Sequence, residues 1–263
     1  MANKKIVVAG ATGLVGNAAL RHFGASDDCE RIALSRRKPR DLYGARHVRI
    51  DLTSAEDCRR AAAELAGATH LIYAALYEAP SLVDGWRDAG QIETNDRMLR
   101  NLMGVLEPVA PDLKHVALLQ GTKAYGVHVR PLTVPAREGR SEMYEQPNFY
   151  WAQENFLREL QRGKSWHWSI LRPVLIIGEA MGGAMDLIPP LGVYAAVLRA
   201  QGRPLDYPGA RRASRKRSMS ICWHARSPGR ATPRLRAMKR STSPMATSSP
   251  GKISGRRYRM RSR

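Results

Sequence analysis

The segment Ile6-Val7-Val8-Ala9-Gly10-Ala11-Thr12-Gly13-Leu14-Val15-Gly16 constrains this chain more than any other stretch. A short apolar run ends in three glycines spaced three apart, and Asn17-Ala18-Ala19-Leu20 then begins a helix-compatible run. Gly10 permits the tight turn after a strand, Gly13 lets backbone approach a pyrophosphate, and Gly16 lets helix and strand pack closely. The free N–H groups of a helix start and its dipole favour the negative charge of phosphates. Glycine triplets also occur in merely structural turns. Between a strand and a helix, this one reads as a phosphate cradle made of Gly10, Thr12, Gly13, Leu14, Val15 and Gly16.

The pattern that follows alternates strand and helix up to about Gly209. Short apolar runs predict strands over Lys5–Ala9, Arg31–Leu34, Val48–Ile50, His70–Ala74, His115–Leu119 and His167–Leu171, as expected of buried parallel strands. Helices are predicted over Leu14–Phe23, Ser54–Leu65, Thr94–Leu106, Tyr150–Leu160 and Ile188–Gln201. Ser54 serves as an N-cap, and Pro189-Pro190 breaks the start of the last. This alternation specifies an α/β fold, a Rossmann-type doubly wound parallel sheet. Residues 1–180 form the dinucleotide-binding domain, and 181–209 begin a small, incomplete C-terminal substrate-binding region.

The net charge of +20 would ordinarily point to a polyanion partner. Its distribution argues otherwise. Residues 210–263 hold 17 Lys or Arg and no acid, whereas the preceding residues carry 26 basic against 23 acidic groups. Three cysteines cannot build a disulfide framework, so a reducing compartment is expected. The N-terminal stretch lacks the features of a signal peptide, and no apolar run reaches membrane-spanning length. A cytoplasmic protein without a membrane partner is the expectation.

After Gly209 the texture turns to Arg, Ser and Pro with no periodicity. One reading is a disordered basic tail. Codon arithmetic supports another. Read one base earlier, permitted codons for Ala237 to Ser248 give Asn-Glu-Ala-Phe-Asn-Ile-Thr-Asn-Gly-Asp-Val-Phe. Met219 to Ala225 likewise gives Asp-Val-Asp-Leu-Leu-Ala-Arg. Both strings have the texture of a globular protein, so residues 210–263 are read as frameshifted.

Strand two ends in Leu34-Ser35-Arg36-Arg37, where a dinucleotide's adenosine ribose is met in this fold. An acid there binds the 2′-hydroxyl of NAD, and arginine accommodates the 2′-phosphate of NADP. Ser35, Arg36 and Arg37 therefore favour NADP over a simple solvated loop. Asp51 and Leu52 fit an adenine border, although Asp51 could equally cap a helix. Lys123, in the loop after strand five, lies where ligands enter parallel sheets. Tyr150 opens the next helix. A tyrosine–lysine pair beside a nicotinamide is the usual acid of short-chain dehydrogenases, the lysine lying four residues after the tyrosine. Here that position holds Glu154.

The motifs Gly-Ala-Thr-Gly-Leu-Val-Gly, Ser-Arg-Arg, Gly121-Thr122-Lys123-Ala124-Tyr125 and Asn148-Phe149-Tyr150 resemble the progesterone 5β-reductase/iridoid synthase-like branch of the extended short-chain dehydrogenases. Leu171-Arg172-Pro173, Ile176-Ile177-Gly178, Gly192-Val193-Tyr194-Ala195-Ala196 and Tyr207-Pro208-Gly209 extend the resemblance over residues 4–209. It implies Tyr150 as the acid, Lys123 supplied from the loop after strand five, and Ala74, Pro173 and Val174 beside the cofactor. Val174 departs from the family's glycine, and Tyr73-Ala74-Ala75-Leu76 lacks the tryptophan of plant members. The string decoded from Ala237 onward is what the family carries further on.

The resemblance implies an NADP-dependent enone reductase acting on a small-molecule carbonyl substrate, with a homodimer allowed for. A catalytically silent NADP-binding sensor and nucleic-acid binding through the basic tail are the alternatives. Glu154 speaks against a sugar-nucleotide epimerase, and no metal site is read.

Overall fold

The computed structural model describes residues 4–79, 86, 88–132, 134–137, 144–178 and 187–206. Tyr207-Pro208-Gly209, the basic tail and residues 179–186 of the expected domain junction lie outside the described residues.

Six strands form one parallel sheet: β1 (Lys4–Ala9), β2 (Cys29–Ser35), β3 (Arg46–Arg49), β4 (His70–Tyr73), β5 (His115–Leu119) and β6 (His167–Leu171). Their order is β3-β2-β1-β4-β5-β6. The order reverses at β1, so the crevice between the C-terminal ends of β1 and β4 is the switch point where such sheets bind ligands. The helices are α1 (Leu14–Gly24), α2 (Ala55–Arg60), α3 (Ala62–Leu65), α4 (Ala89–Val109), α5 (Phe149–Gln161) and α6 (Ile188–Ala200).

Ile6, Val7, Val8 and Ala9 are all buried, because β1 is covered on both faces. On one side Val7, Leu34 and Leu71 meet Leu99, Leu102 and Leu106 of α4. On the other, Val8 and Ala33 pack against Leu20 of α1. Burial of this apolar area is the main favourable term for such a sheet.

Strand β2 begins at Cys29, two residues before the expected Arg31, β3 runs over Arg46–Arg49 instead of Val48–Ile50, and two helices differ further. The helix expected over Ser54–Leu65 is two short pieces, since at Ala61 the backbone N–H is shared between the carbonyls of Asp57 and Cys58, both at 3.2 Å. Helix α4 begins earlier than the apolar stripe suggested: Asp88 caps it, its carboxylate accepting from the Gln91 N–H at 2.7 Å, and the added turn carries the buried amide Gln91. Among the described residues no helix is long and apolar enough to cross a membrane.

Candidate active site

The glycine turn joins β1 to α1 at the switch point. Gly10 adopts φ of +82°, and a Cβ there would lie 2.7 Å from the Ala74 carbonyl carbon. A side chain is thus excluded both by conformation and by the closeness of β4's end. A Cβ at Gly16 would lie 2.7 Å from the Gly10 carbonyl carbon and 2.9 Å from Ala11 Cα, which fixes how closely α1 sits on the turn. Gly13 caps α1 in extended backbone with no side-chain bond to the first turn. The N–H groups of that turn are therefore left to a ligand, and the helix end favours an anion. The turn fits a dinucleotide pyrophosphate.

At the end of β2, Ser35 is nearly buried, its hydroxyl donating to the Arg37 carbonyl at 2.6 Å. Arg36 and Arg37 are exposed, so their guanidinium groups are available to a phosphate. Asp51 follows β3 and accepts from the Thr53 N–H and hydroxyl at 2.9 and 2.8 Å. Burial pushes its carboxyl up, but these two bonds and the nearby Arg36 charge outweigh burial and hold it below the usual range. Leu52 is only 6 % exposed and belongs to the main core. Ala74 begins the loop after β4, its N–H bonded to the Ala9 carbonyl at 2.9 Å. Gly178 comes back over α1, where a Cβ would touch Leu14 Cδ1 at 3.0 Å, so the segment after Pro173 and Val174 spans the cradle.

Lys123 and Tyr150 come from different elements and are tied together by the backbone around them. Lys123 sits in a 3-10 turn, Thr122–Tyr125, directly after β5. Tyr150 lies in the first turn of α5, capped by Asn148. The Asn148 amide bridges the two: its Oδ1 accepts from the Tyr150 N–H at 3.0 Å, and its Nδ2 donates to the Lys123 carbonyl at 3.2 Å. Gln120 adds a second tie, its Nε2 donating to the Tyr150 carbonyl at 2.8 Å. The Tyr150 hydroxyl points at Gly121, 3.4 Å from where a Cβ would be. A larger residue at 121 would crowd the hydroxyl's approach to a ligand.

Glu154 occupies the position of the usual lysine and does the opposite job. Its carboxylate accepts from Arg172 at 2.6 Å and from Arg158 at 2.6 Å. Arg172 in turn donates from Nε to Gln120 Oε1 at 2.9 Å and lies over the Tyr125 and Trp151 rings. Buried charges persist when paired and hydrogen-bonded in this way. The network locks the ends of β5 and β6 to α5, with the Lys123 ammonium lying instead over the Trp86 ring.

Two residues of the site went unread in the sequence. Trp86 is buried against Phe149 and Tyr150, with ring centroids 4.8 and 5.2 Å apart, and the Lys123 ammonium lies 3.6 Å from its ring centroid. Glu78, in the loop after β4, acts electrically on both Lys123 and Tyr150. Burial pushes the Lys123 ammonium down to about 8, with Glu78 opposing the fall. Burial pushes the Tyr150 hydroxyl above the ordinary phenol range, and Glu78 adds to the rise. No periodicity marks either residue, because both sit in connections. Among the described residues no cluster of His, Cys, Asp or Glu could hold a metal ion.

A model of the PRISE-like Rossmann-fold domain matches residues 55–226. The chain belongs to this family. The 3-oxo-Delta(4,5)-steroid 5-beta-reductase of Arabidopsis thaliana is 32% identical over 223 residues, covering 79% of this chain and 55% of the relative. An (S)-8-oxocitronellyl enol synthase of Camptotheca acuminata is 29% identical over 222 residues, covering 79% and 55%. The chain thus spans about half the length of the curated relatives it matches. Among solved structures, a UDP-glucose 4-epimerase of Thermus thermophilus in complex with NAD has a TM-score of 0.57 at 18% identity, over 76% of this chain and 64% of that one. A Helicobacter pylori ADP-L-glycero-D-manno-heptose-6-epimerase has a TM-score of 0.58 at 17% identity, over 75% and 64%. At that identity the likeness speaks for the Rossmann fold of this family member alone.

Proposed function

We propose that this chain is an NADP-dependent oxidoreductase that reduces the C=C bond of an α,β-unsaturated carbonyl compound. The observation that carries the reading is the Asn148 amide, which joins the Lys123 carbonyl after β5 to the Tyr150 N–H at the start of α5. The names of the relatives, a steroid 5-beta-reductase and an enol synthase, support the same chemistry. The glycine turn and the start of α1 would hold the pyrophosphate, and Ser35, Arg36 and Arg37 the 2′-phosphate. Asp51 and Leu52 would border the adenine, and Ala74, Pro173 and Val174 would flank the nicotinamide.

When bound, the nicotinamide supplies a hydride to the substrate's β-carbon. The protein's own task is the charge that builds on the carbonyl oxygen. The Tyr150 hydroxyl would donate a hydrogen bond to that oxygen, and the Lys123 ammonium would lend it positive charge, with the Trp86 ring packed against both side chains. Donors aimed at developing charge in a dry site lower the barrier because they need no reorganisation. Lys123 at about 8 is still largely cationic at neutral pH.

The experiment is a survey of small enones with NADPH and NADH, read at 340 nm, in the protein with residues from 210 onward restored to the alternative frame. NADPH is expected to bind more tightly and to support turnover, and Arg36→Asp to reverse the cofactor preference. Equal affinity of the parent for the two cofactors would contradict the assignment of Ser35, Arg36 and Arg37.

A further inference from the structure

Tyr150 is held at both ends of its own backbone. Asn148 Oδ1 accepts from its N–H at 3.0 Å, and the buried Gln120 donates from Nε2 to its carbonyl at 2.8 Å. Gln120 is itself fixed on the sheet, its backbone N–H donating to the Leu171 carbonyl at the end of β6 at 2.8 Å. The Gln120 amide fits only one way round. Its Nε2 faces the Tyr150 carbonyl, and its Oε1 accepts from Arg172 Nε at 2.9 Å. Reversed, oxygen would face oxygen and N–H would face N–H.

Arg172 joins this amide to the next turn of α5. While Nε serves Gln120, Nη2 donates to Glu154 Oε2 at 2.6 Å. Tyr150 and Glu154 are four residues apart on one face of the helix, about 6 Å along its axis. The guanidinium thus grips that face at two heights, directly at Glu154 and through Gln120 at Tyr150. The Tyr125 and Trp151 rings, with centroids 5.2 and 5.1 Å from its Cζ, hold the guanidinium in place. Arg158, the second partner of Glu154, has a side chain 56% exposed, against 10% for Arg172 and 9% for Glu154. The inner pair is therefore the one that a shift of α5 must break at a cost. The residues that follow the two anchors lie nearest the hydroxyl: a Cβ at Gly121 would be 3.4 Å from Tyr150 Oη and 3.8 Å from the Pro173 carbonyl oxygen.

We propose that Arg172 is a positioning residue for Tyr150: by holding Glu154 and, through Gln120, the Tyr150 carbonyl, it sets the height and rotation of the first turn of α5 and so the place of the hydroxyl beside Gly121. The inference rests on the reading of Tyr150 as the acid. A two-point hold is what a planar, forked cation provides, whereas the point charge of a lysine serves one of the two partners. A hydroxyl misplaced by about 1 Å costs rate, up to roughly 10²-fold, without weakening cofactor binding.

The test uses the full chain labelled with 3-fluorotyrosine, the Tyr150 ¹⁹F resonance being identified by its disappearance in Tyr150→Phe. Arg172→Lys keeps the positive charge, and Gln120→Met removes the amide while leaving both members of the Glu154–Arg172 pair. Each should shift the Tyr150 resonance and leave that of Tyr43, packed in the cluster beside α1, in place. Because the two act in series, the double variant should move it no further than Arg172→Lys alone. Rates are read in the protein with residues from 210 onward restored to the alternative frame. Single-turnover reduction of a reactive enone by bound NADPH should slow about 10–10²-fold in either variant, with NADPH affinity within about twofold of the parent's. A Tyr150 resonance unmoved in both variants, or one that moves together with that of Tyr43, overturns the proposal. So does a parental rate in a variant whose Tyr150 resonance has moved. A moved Tyr150 resonance, with no enone reduction by the parent, supports the positioning and sinks the reductase reading instead.

Discussion

The two ends of this sheet are finished differently. Around β1, Val7, Val8 and Ala9 are fully buried, with Val7 and Ala9 in the cluster that holds Leu99 and Leu102 of α4 and Val8 in the one that holds Leu20 of α1. From β6 onward the residues are equally apolar but open. Leu171, Val174 and Ile177 are 40%, 45% and 58% exposed, and Val193, Val197 and Leu205 reach 66%, 47% and 72%. Single exposed apolar residues are ordinary, but a run of this kind marks a surface built to be covered. Among the described residues the β1 end of the sheet is covered on both faces, while the residues after β6 leave apolar surface open; the chain spans about half the length of the curated relatives it matches.

The largest effect expected from breaking this contrast lies in the closed half. Gly16→Val places a side chain against the Gly10 carbonyl and Ala11 Cα, so α1 must lift from the turn. Dinucleotide binding should be lost by calorimetry, with a destabilisation on the order of 2–4 kcal/mol by urea titration. The comparable change in the open half, Val193→Ala, should alter stability by less than about 0.5 kcal/mol. Equal losses would erase the distinction between the halves.

A second, smaller effect sharpens the open half. We propose that residues from about 210 onward are read in a displaced frame, and that the restored sequence supplies the missing cover. Sequencing the DNA around codon 210 tests the first point directly. For the second, the frame-restored protein should bind less of a hydrophobic dye, with its α6 region protected from protease. In the chain as it stands, trypsin should cut early in the stretch with 17 basic residues, leaving a fragment ending near Arg203–Arg212. Equal dye binding by the two proteins, with a tail that resists trypsin, would contradict the frameshift.

The same contrast explains what could be read in advance. Strands β5 and β6 were legible to the residue, because His115–Leu119 and His167–Leu171 are short apolar runs with clear flanks. The start of α4 was not, because its first turns bury Gln91 and Asn95, and buried amides look like surface in a hydropathy pattern. Lys123 and Tyr150 were singled out as candidates through motifs. Glu154 could be read only as the absence of a lysine, since its pairing with Arg172, 18 residues away, is a product of the fold. Glu78 and Trp86 carry no local pattern. They join the site because β4, α4 and α5 converge there.

The central claim concerns Tyr150 and Lys123, whose backbones the Asn148 amide ties together. The most direct measurement is the single-turnover rate of a reactive enone with bound NADPH, in the frame-restored protein and in its Tyr150→Phe and Lys123→Ala variants. Each variant should be slower by roughly 10²–10⁴-fold, the range for a positioned acid, with NADPH affinity nearly unchanged in Tyr150→Phe. Parental rates in both variants would contradict the account and leave the fold as a binder of dinucleotide without this chemistry.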